Sequence, residues 1–102
     1  MGFKNPKDCH SLEEVRNEID KIDEHIISLF SERHKYVEEI VRFKHDKDAI
    51  IAQERKDQVI LQRKKWAEDS GLNADTFAKI YTLLIESNID HEMKLLKTKN
   101  KA

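Results

Sequence analysis

Apolar side chains recur every three or four residues along the stretch from Ser11 to Lys44, which contains neither glycine nor proline. This spacing is typical of an amphipathic α-helix. Ser11 followed by Glu14 fits a capping box, a common helix start. The pattern predicts one long helix over 11–44, with its apolar stripe at Leu12, Val15, Ile19, Ile22, Ile26, Phe30, Val37, Ile40 and Val41.

This first helix is too long for its own domain. At roughly 1.5 Å per residue it measures about 50 Å, whereas a compact domain of this size is only about 30–35 Å across. Its apolar stripe therefore needs cover from outside the domain, and a second copy of the chain is the simplest source.

Two more helices are predicted, over 53–70 and 74–96. Gly71 followed by Leu72 is typical of a Schellman-type helix end, and Asn73 or Asp75 can cap the next helix. Between the first and second helices lie a charged link, 45–48, and a small apolar patch, 49–52. No strand pattern occurs, so the fold class is all-α with three helices.

Composition fits one small domain and excludes several functions. The 102 residues carry 19 basic and 20 acidic side chains, interleaved along the chain, which argues against a nucleic-acid surface. The apolar runs are too short to span a membrane and the first residues are polar, so we expect no signal peptide and a cytoplasmic location. Cys9 has no partner for an internal disulfide.

We expect a leader over 1–10, a helical domain over 11–96 and a disordered basic tail over 97–102.

Three cations interrupt the pattern of the first helix: Arg16, Arg33 and Lys44. In a continuous helix Arg33 and Lys44 share a face about 16 Å apart, and together they can close on one small anion. Arg16 lies about 25 Å from Arg33 and can serve only the equivalent site of a partner chain. Equally, these cations can be surface side chains that pair with acids.

Asn88 and Glu92 lie one turn apart on the apolar stripe of the third helix. Burying them requires hydrogen bonds or neutralisation, so they indicate a polar cavity. The alternative is a stripe edge where both reach solvent. Glu54 and Arg55, at the start of the second helix, can be ligand contacts or plain surface pairs.

The sequence shows no motif for metal binding, phosphate binding or nucleophilic catalysis. The five histidines, at positions 10, 25, 34, 45 and 91, show no metal-ligand spacing. The two glycines form no phosphate loop, and no nucleophile motif is present. We therefore expect no metal or cofactor, and a cationic cavity that acts by orientation and charge.

These features together resemble the all-helical chorismate mutase family over about 11–96. The resemblance is carried by LEEVRNEIDKIDEHIISLFSERHKYV, by RFK ending at Lys44, by the Glu54–Arg55 pair and by the polar residue at 92. The NPKDC leader, the short link before Glu54 and WAEDSGL resemble the subgroup that contains isochorismate-pyruvate lyases.

The resemblance implies an intertwined homodimer that binds a dicarboxylate. Arg33 and Lys44 would hold the substrate within one subunit, with Arg16 donated across the interface. Lys44 and Glu92 would lie near the breaking ether bond, Glu54 near the ring hydroxyl, and Asn88 in the same cavity.

Two positions depart from the family pattern. Position 92 is commonly Gln, an amide donor, whereas Glu92 donates only when protonated; we expect activity to fall as pH rises. Gln53 stands where many mutases have Arg, which removes one carboxylate contact.

The leading hypothesis is rearrangement of chorismate to prephenate. The alternatives are isochorismate cleavage to salicylate and pyruvate, and a non-catalytic helical dimerisation module.

Overall fold

The computed structural model describes residues 2–101, and they contain helices without any strand. The all-α prediction is therefore confirmed, with a short fourth helix added to the three long ones. In order they are a 3₁₀ turn at Pro6–Asp8, α1 at Leu12–Ile40, a 3₁₀ turn at Val41–Phe43, α2 at Lys47–Ile51, α3 at Gln53–Asp69 and α4 at Ala74–Lys101. The chain divides into two compact units, Met1–Tyr36 and Val37–Ala102.

In the first unit, α1 starts at the predicted cap. The Glu14 N–H donates to Ser11 Oγ at 3.1 Å, the first half of a capping box. The Glu14 carboxylate, however, accepts from the His10 N–H at 2.6 Å. This bond, with Lys4 nearby, lowers the pKa of Glu14. The reciprocal half of the box is thus displaced by one residue.

The apolar stripe of α1 is largely uncovered in the single chain. Among its large apolar residues, Leu12 is 63 % exposed, Ile19 50 % and Ile26 41 %. Within α1 the one buried residue is Val37, near the helix end. Such a row of exposed apolar side chains costs free energy unless another surface covers it.

The prediction that α1 continues to Lys44 was wrong. The helix gives way to a 3₁₀ turn after Ile40, and Lys44 is extended, with φ −110° and ψ 135°. Asp46 then caps α2 by accepting from the Ala49 N–H at 2.8 Å. The chain must leave the helical path here because Val41 and Ile50, nine residues apart, pack into one core. Tertiary packing overrides a sequence that locally favours helix.

The core of the second unit packs the segment from Val41 to Ile50 against the end of α4. Val41, Ile50 and Leu96 are its buried residues, and partly buried side chains pack around them: Ile89, Met93 and Leu95. Ile50 is 2 % exposed. The predicted apolar patch at 49–52 thus belongs to the short helix α2 and its cap, and it supports the segment that carries Lys44.

The turn between α3 and α4 follows the predicted Schellman geometry. Gly71 has φ 77°, its N–H donates to Glu68 O at 3.0 Å, and the Leu72 N–H donates to Ala67 O at 2.8 Å. Asn73 then caps α4 through the Thr76 N–H at 2.9 Å. The sequence predicts this corner well because the rules that form it are local.

The predicted helix end at Leu96 was too early, and residues 97–101 are helical rather than a disordered tail. No glycine or proline interrupts them. Lys99 also donates from its ammonium to carbonyl oxygens of the 41–44 segment, which links the end of α4 to that segment. Ala102 lies outside the described residues.

A membrane-spanning helix was not expected, and none of the described helices combines the length and apolar character needed to cross a bilayer.

Ala52 connects α2 to α3 in a left-handed conformation, with φ 41° and ψ 57°. A Cβ in this region costs free energy that glycine avoids. We predict that Ala52→Gly raises the free energy of unfolding by about 1 kcal/mol. The measurement is urea denaturation. Ala78→Gly, within α4, is the control and should lose about 1 kcal/mol; a loss in both variants would contradict the prediction.

Candidate active site

A lysine and a glutamate meet inside the second unit, far apart in sequence. Lys44 Nζ lies 3.1 Å from Glu92 Oε1 and 3.5 Å from Ile50 O. Glu92 is 5 % exposed, whereas 22 % of the Lys44 side chain remains accessible. A shielded carboxyl group thus pairs with the ammonium of a side chain that is partly accessible to solvent.

The polar pair on α4 is buried, so the alternative of a solvent-facing stripe edge was wrong. Asn88, one turn before Glu92, is 7 % exposed. Among the described residues, every buried polar side-chain atom has a hydrogen-bond partner. Polar groups held in this way have fixed positions, as a binding site requires.

The local fold explains how Lys44 reaches Glu92. The 3₁₀ turn ends α1, and Lys44 continues in extended conformation, which directs the chain towards α2. The prediction that Lys44 shares a helix face with Arg33 was therefore wrong, because α1 ends at Ile40. The tertiary contact with α4, rather than helical spacing, sets the position of Lys44.

Chemically, the pair offers one cation and one carboxyl group at the edge of a buried region. The ammonium has three hydrogens and no acceptor. A second anion can therefore bind it beside, or in place of, the Glu92 carboxylate. Partial burial strengthens such a contact over the same contact in water.

Glu54 does not join this pair. It is exposed and lines a surface groove of ≈ 370 Å³ with Ala52, Gln53, Arg55 and Gln58. The Gln53 amide donates to Asp57 at 2.9 Å. In the part of the chain that the structure describes, no hydrogen bond or ion pair links Glu54 to Lys44 or Glu92.

Arg16 and Arg33 both lie on α1 in the first unit. Arg16 is exposed and Arg33 is half-buried. Their predicted part in the site stays a prediction, because the Lys44–Glu92 pair belongs to the other unit.

Lys99 also contacts this region, and it was not predicted as a site residue. Its ammonium lies within 3.4 Å of three carbonyl oxygens in the 41–44 segment. A signal was present: Lys99 follows Glu92 by seven residues, two helical turns, which places both on one face. The predicted helix ended at Leu96, before this residue.

The segment that contains this site is similar to proteins of a known family. The family model described as chorismate mutase type II matches residues 15–93. An isochorismate pyruvate lyase of Pseudomonas aeruginosa is 35 % identical over 92 residues, which cover 90 % of this chain and 91 % of that protein. The T-protein of Haemophilus influenzae is 29 % identical over 83 residues, or 80 % of this chain and 22 % of that protein.

Removal of one partner should expose the energetic coupling of the Lys44–Glu92 pair. We predict that Lys44→Met lowers the free energy of unfolding by about 1–3 kcal/mol, because Glu92 loses its partner in a buried position. Adding Glu92→Gln to that variant should recover part of the loss. The measurement is a double-mutant cycle by urea denaturation.

The exposed pair Lys35–Glu32 on α1, at 2.9 Å, is the matched control. Its cycle should give less than about 1 kcal/mol. Equal coupling in the two cycles would contradict the assignment of Lys44–Glu92 as a buried pair.

Proposed function

We propose that this chain, which belongs to the chorismate mutase type II family and is an enzyme, rearranges chorismate to prephenate. The observation that carries the proposal is the buried Lys44–Glu92 pair, which lies within the matched segment. Chorismate has two carboxylates and an enolpyruvyl ether. The ammonium of the partly accessible Lys44 suits the charge of this substrate. The Glu92 carboxyl group can donate to the reacting oxygen when it is protonated.

The rearrangement is pericyclic, so it needs no protein nucleophile. One C–O bond breaks as one C–C bond forms, and negative charge develops on the ether oxygen. A cation held near that oxygen stabilises the transition state more than the ground state. Lys44 is proposed for this role, and the resemblance adds Arg33 for a substrate carboxylate.

Asn88 and Glu54 are proposed as further substrate contacts. Asn88 is buried one turn from Glu92, which supports its place in the cavity. Glu54 is exposed, so its proposed contact with the ring hydroxyl rests on the resemblance alone. Gln53 already binds Asp57, which is consistent with the loss of a carboxylate contact at this position.

We further propose a homodimer in which Arg16 reaches the site of the partner. The exposed apolar residues of α1, including Leu12 and Ile19, support an interface along this helix. Arg16 is exposed on the same helix and is available to another chain. A site completed across an interface makes activity depend on the dimer.

The second candidate is cleavage of isochorismate to salicylate and pyruvate. The similarity to the isochorismate pyruvate lyase, 35 % over nearly the whole of both chains, favours it. The same cation can stabilise the negative charge that develops on the ether oxygen as this C–O bond breaks, so the site fits both reactions. The third hypothesis, a non-catalytic module, is supported only by the departures at Gln53 and Glu92. The presence of Arg16, Arg33 and Lys44 speaks against it.

We predict that purified protein forms prephenate from chorismate, and that Lys44→Ala, Arg33→Ala and Arg16→Ala each lower kcat/KM by about two to three orders of magnitude. The measurement is a parallel assay with chorismate and isochorismate. Lys47→Ala, which removes an exposed cation nearby, is the control. Salicylate as the dominant product would select the lyase candidate, and neither product would overturn both.

Mixing two inactive variants tests the shared site. In a heterodimer of Arg16→Ala and Lys44→Ala chains, one site carries both defects and the other carries neither. We predict recovery of up to about a quarter of the wild-type activity after random reassortment. Lys44→Ala mixed with Arg33→Ala, where both sites stay defective, is the control. Recovery in neither mixture would reject the contribution of Arg16 across the interface.

Glu92 sets the expected pH dependence. To donate to the ether oxygen it must carry a proton, and a doubly negative substrate opposes a third negative charge nearby. We predict that kcat at saturating substrate falls as pH rises, and that Glu92→Gln flattens the profile and raises the rate at high pH. A flat wild-type profile, with no gain for Glu92→Gln, would contradict this role.

A further inference from the structure

The ammonium of Lys99 holds the backbone just before and at Lys44. Lys99 Nζ lies 3.1 Å from Val41 O, 3.4 Å from Arg42 O and 3.2 Å from Lys44 O. A lysine ammonium has three hydrogens. All three can therefore be donated to this one short segment.

The acceptors explain why a lysine is placed there. The last carbonyls of a helix lack partners within the helix and carry partial negative charge. The 3₁₀ turn after α1 leaves such carbonyls, and no glycine is available to form a Schellman end in this segment. A cation supplied by α4 takes that place.

Helix α4 thus contacts both the side chain and the main chain of Lys44. Glu92 accepts from the side-chain ammonium at 3.1 Å, and Lys99 donates to the main-chain carbonyl at 3.2 Å. The two residues of α4 are seven positions apart, about 10 Å along the axis. Fixing both ends restricts where the Lys44 ammonium can lie.

We propose that Lys99 is a positioning residue, which holds the 41–44 segment so that Lys44 meets the substrate in a productive position. For its catalytic consequence this inference rests on the proposed function. Lys99 need not touch the substrate. Its removal should therefore slow the chemical step more than it weakens substrate binding.

The test compares Lys99→Met with Lys97→Met, which removes another exposed lysine of α4. We expect Lys99→Met to lower kcat about tenfold with KM changed less than about twofold, since small misplacements of a catalytic group reduce rate sharply. Lys97→Met should match the wild type. Lys99→Arg, which keeps the charge and several donors, should recover part of the loss.

A second readout needs no substrate. The Lys44 N–H donates to Val41 O at 3.2 Å, so its hydrogen exchange, followed by NMR, reports the order of the segment. Lys99→Met should speed that exchange, and Lys97→Met should not. Unchanged exchange in Lys99→Met would overturn the inference.

The two readouts separate the possible failures. Faster exchange with an unchanged kcat in an active enzyme would also overturn the positioning role. If the wild type converts neither substrate, the proposed function fails and the catalytic part of this inference fails with it. The exchange data then still decide whether Lys99 holds the segment.

Discussion

The burial of a charged pair constrains the second unit. Taking an ammonium and a carboxylate out of water costs free energy, which their attraction offsets only when the geometry is held. Glu92 is nearly inaccessible, so Lys44 must be delivered to it from another part of the chain. The 3₁₀ turn, the short helix α2 and the core of Val41, Ile50 and Leu96 together make this delivery possible. A site that served stability alone could use apolar side chains at lower cost.

The arrangement also fits catalysis by charge. In a pericyclic reaction the protein supplies orientation and an environment that matches the developing charge. Both depend on how closely the cation is held. Helix α4 carries Glu92 and Lys99 on one face, and it contacts the side chain and the main chain of Lys44. The helix that packs most of the core thereby also sets the position of the cation.

The parts of the fold that sequence predicts are those with local rules. The corner at Gly71 and the caps at Ser11 and Asn73 follow from residues a few positions apart, and the buried polar pair on α4 follows from helical periodicity. The end of α1 could not be predicted in this way. It depends on Val41 meeting Ile50 and Leu96, and on Lys99 supplying donors from the far end of the chain. Asn88, Glu92 and the cations of the first helix were predicted because each interrupts an apolar stripe, whereas Lys99 lies beyond the predicted end of the third helix.

We propose that Lys44, paired with Glu92 in the free chain, becomes the cation that holds a dicarboxylate at the transition state. Calorimetric titration with a dicarboxylate transition-state mimic, using the wild type, Lys44→Ala and the control Lys47→Ala, tests it most directly. We predict binding by the wild type and by Lys47→Ala, with affinity at least about a hundredfold weaker for Lys44→Ala. Equal affinity in all three proteins, or no binding by the wild type, would contradict it.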